Sequence, residues 1–369
     1  MKQTILIFHP ALAPYRVDFF NALHQYFNAH FYFNLKNVSD QNFDQDDLKS
    51  KSQFSSNYLQ KGFEFGGKSF RTGAISAIKI HNPDIVLCSE YSPLTVLVFA
   101  YVKLFRKKIR FYTLSDDSID NAAERKGLRK WLRDTISIKS EGVIFTSQKV
   151  CDWHKKNISG KIRTLELPII HKDEVLRKRY FESLNEANSN IDTYNLKGKK
   201  VILFVGRLVT VKNLPFLLKC FSKTEHSDCV LVLVGEGPLR GELEILSEKL
   251  EISSQVLFLG RQEGKALNNW YTFGQIFAFA STYERYGAVV NEALLGGCYT
   301  LCSTAAGASS LIDDKNGQVF DPINETEFID KLQGAINNSK PIGDEITELR
   351  ESKMPFTFDE KINSLIRQL

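Results

Sequence analysis

The chain has 369 residues, 43% hydrophobic and 25% charged, with six cysteines and a formal net charge of +5. That composition excludes collagen-like, disulfide-dense and disordered classes, and the length suits two domains of middling size better than one. The charge is uneven: residues 1–167 hold 25 Lys and Arg against 16 Asp and Glu, or +9, which leaves −4 for the remainder.

Short apolar runs alternate with longer amphipathic stretches, the pattern of parallel strands joined by crossover helices. In chain order the first strand is expected at 4–8, where four apolar residues stop at His9-Pro10 and are too few for a signal-peptide core. A helix over 17–27 follows, with Phe19, Phe20, Leu23 and Phe27 as its apolar positions. Further strands are expected at 85–88, 109–113, 143–146 and 162–165. The longest apolar stretch, 93–102, falls short of the roughly 20 residues that cross a bilayer, so the expectation is a cytoplasmic protein.

The domain boundary is placed near Leu167-Pro168, giving domains 1–167 and 168–355. After it comes a polar stretch to Lys200, helical over 174–184. The second set of strands is expected at 201–205, 229–234, 256–259, 276–279 and 299–302. A terminal amphipathic helix, about 356–369, carries Ile362, Leu365, Ile366 and Leu369 at helical spacing and is expected to pack back on the first domain. The fold class is therefore α/β, with two doubly wound Rossmann-like domains. The cysteines form no Cys-x-x-Cys pair and read as reduced core residues, and no metal site is expected.

Four strand-end turns of the second half share one chemistry. The strand 201–205 leads into Gly206-Arg207-Leu208, with Lys212 before the next helix. Two cations beyond a strand end, beside a helix start, suit phosphates; the alternative is a pair of solvated loop charges. The strand 229–234 ends in Gly235-Glu236-Gly237-Pro238, where two glycines would let backbone approach a ligand. The third glycine of a dinucleotide fingerprint is replaced by Arg240, which weakens a dehydrogenase reading. The strand 256–259 ends in Gly260-Arg261.

The fourth turn runs Glu284-Arg285-Tyr286-Gly287-Ala288, with Glu292 on the helix beyond. A helix starting near Gly287 has a bare N-terminus that can face an anion. Glu284 would lie near a transferred group, and Glu292 would accept hydrogen bonds from a ribose. Glutamates are common on helix surfaces, but Glu292 is flanked by Val289, Val290, Ala293, Leu294 and Leu295, and a carboxylate in such surroundings needs partners.

Residues 201–322 resemble the nucleotide-binding domain of family-4 glycosyltransferases. The resemblance rests on Gly206, Arg207 and Lys212, on Gly235, Gly237 and Pro238, on Glu284, Tyr286, Gly287 and Glu292, and on Asn316-Gly317. It implies a GT-B fold, two domains facing a central cleft. It also implies that Arg207 and Lys212 neutralise a donor diphosphate and that Gly287, Ala288 and neighbouring amides cap its β-phosphate. Glu292 would bind ribose, Glu284 the sugar, and Arg261 would lie in the base-binding loop. Members of the family retain anomeric configuration and need neither cofactor nor metal. The chain departs from the family at Ala306-Gly307-Ala308-Ser309-Ser310, where an acidic residue is usual, and at Gly274-Gln275, where Ala-Asp is usual.

The first half resembles a branch of bacterial surface-polysaccharide glycosyltransferases through Pro14-Tyr15-Arg16 with Phe19-Phe20. Arg16, at a helix start after the first strand, is expected to meet phosphate or acceptor. Relatives carry a histidine after the strand 109–113; here Asp116 and Asp117 stand instead, and one of them would orient the acceptor hydroxyl or take its proton, or else cap the next helix. Glu90 and Tyr91 are further acceptor-side candidates. Basic residues crowd between Lys103 and Arg133 with Trp131 and Leu132 among them, which suits an anionic membrane surface at the inner face of the cell, or is simply a solvated face. No nucleic-acid motif accompanies that charge.

The expected activity is a retaining, metal-independent transfer of a sugar from a nucleotide diphosphate donor, UDP-sugar favoured, to a glycan or lipid-linked acceptor in bacterial surface polysaccharide synthesis. The rivals are a nucleotide-sugar epimerase on the same fold and a non-catalytic binding partner of a polysaccharide assembly complex.

Overall fold

The computed structural model describes residues 2–37, 43–65 and 68–369, with 63–65 and 68–70 described by backbone alone. The chain divides into two compact units, Met1–Ile169 with Asp359–Leu369 and Ile170–Phe358.

Unit 1 is built on β1 (Thr4–His9), β2 (Asn28–Phe33), β3 (Ser56–Tyr58), β6 (Ile85–Ser89), β7 (Arg110–Ser115), β8 (Gly142–Phe145) and β9 (Thr164–Glu166), in the order β3-β2-β1-β6-β7-β8-β9. The remaining strands, β4 (Phe63–Phe65) and β5 (Lys68–Phe70), form a separate antiparallel pair. All neighbours in the large sheet run parallel. Ile5, Leu6, Ile7 and Phe8 are each buried although successive side chains face opposite sides, which explains why the run is apolar throughout rather than alternating. The segment Asp359–Leu369 belongs to this unit: Ile362 and Leu365 are buried, Lys361 Nζ lies 2.5 Å from Glu166 Oε2, and Arg163 donates to the carbonyl of Gln368 at 2.6 Å.

Unit 2 repeats the plan with six parallel strands: β10 (Lys200–Val205), β11 (Cys229–Val234), β12 (Val256–Gly260), β13 (Ile276–Phe279), β14 (Tyr299–Ser303) and β15 (Gly317–Phe320). Their order is β12-β11-β10-β13-β14-β15. In each sheet the winding reverses once, between β1 and β6 and between β10 and β13. The loops leaving those strands diverge to opposite faces, so a crevice opens at their carboxyl ends, the place where open α/β sheets bind ligands.

The structure adds strands that the apolar pattern does not mark. Asn28–Phe33 opens on three residues that stay partly exposed, Ser56–Tyr58 is a three-residue edge strand, and Gly317–Phe320 begins on glycine at the opposite kind of edge. Strands near sheet edges are covered on fewer sides and need less apolar sequence. The single helix expected over 174–184 is two, Asp173–Phe181 and Leu184–Thr193. The helix expected from Val17 begins three residues earlier, with Pro14 in its first turn, where a missing N–H costs nothing. All six cysteines are buried and free. Among the described residues no helix is long and apolar enough to cross a membrane.

Candidate functional site

At the switch point of unit 2 the loop after β10 is zipped to the loop after β11. Leu208 donates its N–H to Glu236 O at 2.8 Å, and Gly206 donates to Val234 O at 3.0 Å. A Cβ on Gly235, whose φ is +141°, would stand 1.9 Å from the Gly206 carbonyl oxygen, and one on Gly237 would stand 2.3 Å from that of Leu208. The pair of glycines expected to admit a ligand instead admits neighbouring backbone, and so fixes where Arg207 and Lys212 are carried.

Those two cations differ in state. Arg207 is exposed, and its guanidinium has no hydrogen bond or ion pair among the described residues. Lys212 closes the turn Thr210–Lys212; its ammonium pairs with the Glu284 carboxylate and stands 4.7 Å over the Phe279 ring. Its side chain keeps 12% of its exposure and that of Glu284 keeps 24%, so the pair is shielded yet reachable. Since β10 and β13 are neighbours, residues on loops far apart in sequence meet at adjacent strand ends.

The Glu284 loop is stitched on both sides. Thr282 N–H donates to Val211 O at 2.9 Å, Glu284 N–H to Ala305 O at 3.3 Å, and Ala308 N–H to Tyr286 O at 2.7 Å. Tyr286 is buried and acts as the loop's anchor. Gly287 has φ +94°, and a Cβ there would stand 2.8 Å from the Phe279 ring, so any side chain would be strained and would displace that ring. The helix Val289–Leu295 follows, two residues later than the expected start at Gly287; Ala288 is its N-cap and no side chain caps it. Gln275, at the family's Ala-Asp position, accepts from Val201 N–H through its side chain at 2.6 Å and serves the sheet. Arg261 is 60% exposed and hydrogen-bonded to Glu263 at 2.9 Å.

Glu292 lies on that helix with 21% of its side chain exposed. Tyr271 OH donates to its Oε2 at 2.7 Å, and His171 Nε2 lies 3.4 Å from its Oε1. Burial alone would raise this carboxyl's pKa, but the hydrogen bonds from His171 and Tyr271 and the charge of His171 outweigh it and hold it below the ordinary value. The helix itself is pinned from outside: Tyr180 OH donates to Glu292 O at 2.9 Å, Arg177 to Leu295 O at 2.7 Å and Arg350 to Gly296 O at 2.8 Å. Leu295 O and Gly296 O thereby gain partners at the helix end, while Glu292 O also accepts from Gly296 N–H at 3.0 Å.

At the switch point of unit 1, Arg16 is 1% exposed and ion-paired with Asp116. Expected to meet phosphate or acceptor, it is found buried and joined to the Asp116 carboxylate. Its Nε has no partner. Asp116 keeps 23% side-chain exposure, and its N–H donates to Glu90 Oε1 at 3.0 Å. Glu90 adopts a left-handed φ of +59°, a conformation that costs a non-glycine residue on the order of 1 kcal/mol.

Asp117 has a different role from the one expected. It receives Arg125 through both oxygens, at 2.7 and 2.9 Å, and Arg133 as well, with 2% of its side chain exposed. A carboxylate enclosed by two guanidiniums is a structural centre. Tyr91 completes it: Arg133 lies 4.2 Å over its ring, its OH lies 2.7 Å from Ser137 Oγ, and burial pushes its pKa up to about 12.

The basic segment is thinner than its sequence. Arg125 and Arg133 serve Asp117, Lys103 pairs with Glu141, Lys130 with Asp134, and Arg110 holds the Leu369 carbonyl. Arg106, Lys107, Lys108, Lys126 and Arg129 remain exposed, together with Leu104, Phe105, Leu128, Trp131 and Ile138.

Sequence reasoning missed His9, His171 and Tyr271. His9 is the last residue of β1, and its place at a strand end was the available signal. Nothing local marks His171 or Tyr271, which become visible only when the chain brings them to Glu292. Among the described residues no group of three or more His, Cys, Asp or Glu is placed to hold a metal ion.

Residues 188–351 match the family described as glycosyl transferases group 1. An uncharacterized glycosyltransferase of Methanocaldococcus jannaschii is 34% identical over 115 residues, covering 31% of this chain and 30% of that one. The N-acetylgalactosamine-N,N'-diacetylbacillosaminyl-diphospho-undecaprenol 4-alpha-N-acetylgalactosaminyltransferase of Campylobacter jejuni is 34% identical over 146 residues, 38% of each chain. The chain thus matches only about a third of the length of these curated relatives. The solved structure of Anabaena HepE in complex with UDP superposes with a TM-score of 0.70 over 92% of this chain and 90% of that one, at 16% identity. The chain has the GT-B fold, and residues 188–351 of its second unit match the glycosyl transferases group 1 family.

Proposed function

We propose that the chain transfers a sugar from a nucleoside diphosphate donor, a UDP-sugar, to a lipid-linked glycan, with retention of configuration and without a metal or other cofactor. Unit 2 (residues 170–358) holds the donor and unit 1 the acceptor. The observation that carries this reading is the shielded Lys212–Glu284 pair at the β10–β13 switch point, with Arg207 unpaired in the same loop and an uncapped helix start at Ala288. A diphosphate placed there draws Lys212 away from Glu284 and meets Arg207 and the helix amides. The carboxylate so released is left to the sugar. Positive charge supplied by the protein does the work a divalent cation does elsewhere, and it acts most strongly as charge grows on the leaving diphosphate. Gly206, Gly235 and Gly237 fix the loops, Gly287 and Ala288 shape the phosphate cradle, and Glu292 takes the ribose. Tyr286 anchors the Glu284 loop, and Arg261 borders the base.

In unit 1, Asp116 orients the acceptor hydroxyl, held in place by Arg16 and Glu90. UDP is favoured because HepE carries it on the same fold, and a lipid-diphosphate acceptor because the Campylobacter relative's name specifies one. The exposed cations and apolar residues of 104–138 support a peripheral position on an anionic membrane, at the cytoplasmic face, where such an acceptor is presented. The test is thermal shift against UDP, GDP and ADP with EDTA present. A ligand at 100 times its dissociation constant adds about 2.7 kcal/mol. A shift with UDP that Arg207→Ala removes is expected; no shift with any of the three overturns the donor site. An inverted product by NMR overturns retention.

A further inference from the structure

Glu292 is fixed more firmly than a helix residue requires. Tyr271 OH reaches its Oε2 at 2.7 Å and His171 Nε2 approaches its Oε1 at 3.4 Å, one from the helix Gly264–Phe273, the other from the start of unit 2. A carboxylate only accepts hydrogen bonds, so the facing His171 nitrogen carries a proton. Both partners are themselves held. Tyr271 is 1% exposed, its carbonyl accepts from Arg350 at 2.9 Å, and a Cβ on Gly296 would stand 2.4 Å from that carbonyl. His171 N–H donates to Asn291 Oδ1 at 2.8 Å, on the same helix as Glu292. One donor fills one side of each carboxylate oxygen. Each oxygen has a second lone pair, and a fifth of the side chain is exposed.

We propose that Tyr271 and His171 are specificity-determining positioning residues that aim the two free lone pairs of Glu292 at a vicinal diol, so that this site takes ribonucleoside diphosphates and rejects their deoxy forms. This rests on the reading that unit 2 binds a nucleoside diphosphate with its ribose at Glu292. Two hydroxyls are required because both oxygens are presented, one from each clamped side. The lowered pKa of Glu292 agrees, since the clamp keeps it an acceptor in the charged form. A site built to bond a hydroxyl discriminates strongly against an analogue lacking it, because its polar groups are then left unpaired. Both residues act through Glu292: Tyr271 contributes aim alone, and His171 contributes aim and charge.

The experiment titrates the full chain with UDP, 2'-deoxy-UDP, 3'-deoxy-UDP and inorganic pyrophosphate by calorimetry, in wild type, Tyr271→Phe and His171→Gln. Wild type is expected to prefer UDP at least tenfold over each deoxy form. Either variant is expected to bring that ratio below about threefold while pyrophosphate affinity stays within twofold. His171→Gln, which leaves the buried Tyr271 in place, keeps the test alive should Tyr271→Phe fail to fold. Binding of UDP with an unchanged ratio in a folded variant overturns the inference alone, as does a wild type that binds UDP and its deoxy forms equally. A wild type that binds neither UDP nor pyrophosphate overturns the donor site itself, and the inference with it.

Discussion

The two switch points are built on the same topology but hold their charges differently. In unit 2, Arg207 is open and Lys212 is paired with a carboxylate that keeps a quarter of its exposure. In unit 1, Arg16 is sealed and Asp117 is enclosed by two arginines, while Asp116 keeps 23% of its side-chain exposure. Cations presented to solvent are available to an anion, whereas cations paired inside the fold hold a neutral or hydroxylic ligand's partners in place. Under the function proposed above, equal topology divides the work: unit 2 supplies charge, and unit 1 supplies orientation.

Asp117→Asn should cut deepest. Removing one charge from a buried cluster costs about 3–5 kcal/mol, so the denaturation midpoint should fall while folded protein still turns over. Asp116→Asn should do the reverse, losing 10²-fold or more in turnover with a smaller stability change. If Asp117→Asn left stability intact, the division between the two aspartates would be lost.

Lys212→Ala should lower the transfer rate by about 10²–10³-fold, a loss of about 3–4 kcal/mol of transition-state stabilisation. Arg207→Ala, freely solvated before binding, should cost less, about tenfold, read mainly as weaker donor binding. Equal effects of the two would contradict their different states.

His9 sharpens the contrast through pH. Its Nδ1 lies 2.8 Å from Ala11 O, and burial, with the Arg16 charge adding to it, lowers its pKa to about 4 from 6.5. The unfolded chain therefore binds the extra proton between those values. This contribution to stability is complete above pH 6.5 and is lost as pH falls toward 4, a change of about 3 kcal/mol. His9→Gln should flatten that part of the stability profile; an unchanged slope would mean that His9 is not held neutral.

The smallest effect concerns the surface of unit 1. Reversing Lys107, Lys108 and Arg129 should weaken binding to vesicles containing anionic lipid by about 1 kcal/mol per residue, with no change in melting. Wild type that ignores such vesicles would reduce this patch to a solvated face.

The sequence by itself determined the central strands, because β1, β10, β11 and β13 are buried on both faces and must be apolar throughout. It also marked the strand-end residues of unit 2, since Gly235 and Gly287 stand where any side chain would be strained and so leave a local signature. Tertiary structure alone decided the rest. Edge strands such as Ser56–Tyr58 need little apolar sequence and leave no pattern. Whether Arg16, Arg125 or Arg133 is a free cation depends on which carboxylate reaches it across the sheet, and no local spacing encodes that distance. The clamp on Glu292 is the clearest case: His171, Tyr271 and Glu292 come from three separate segments and share one site only after unit 2 has folded.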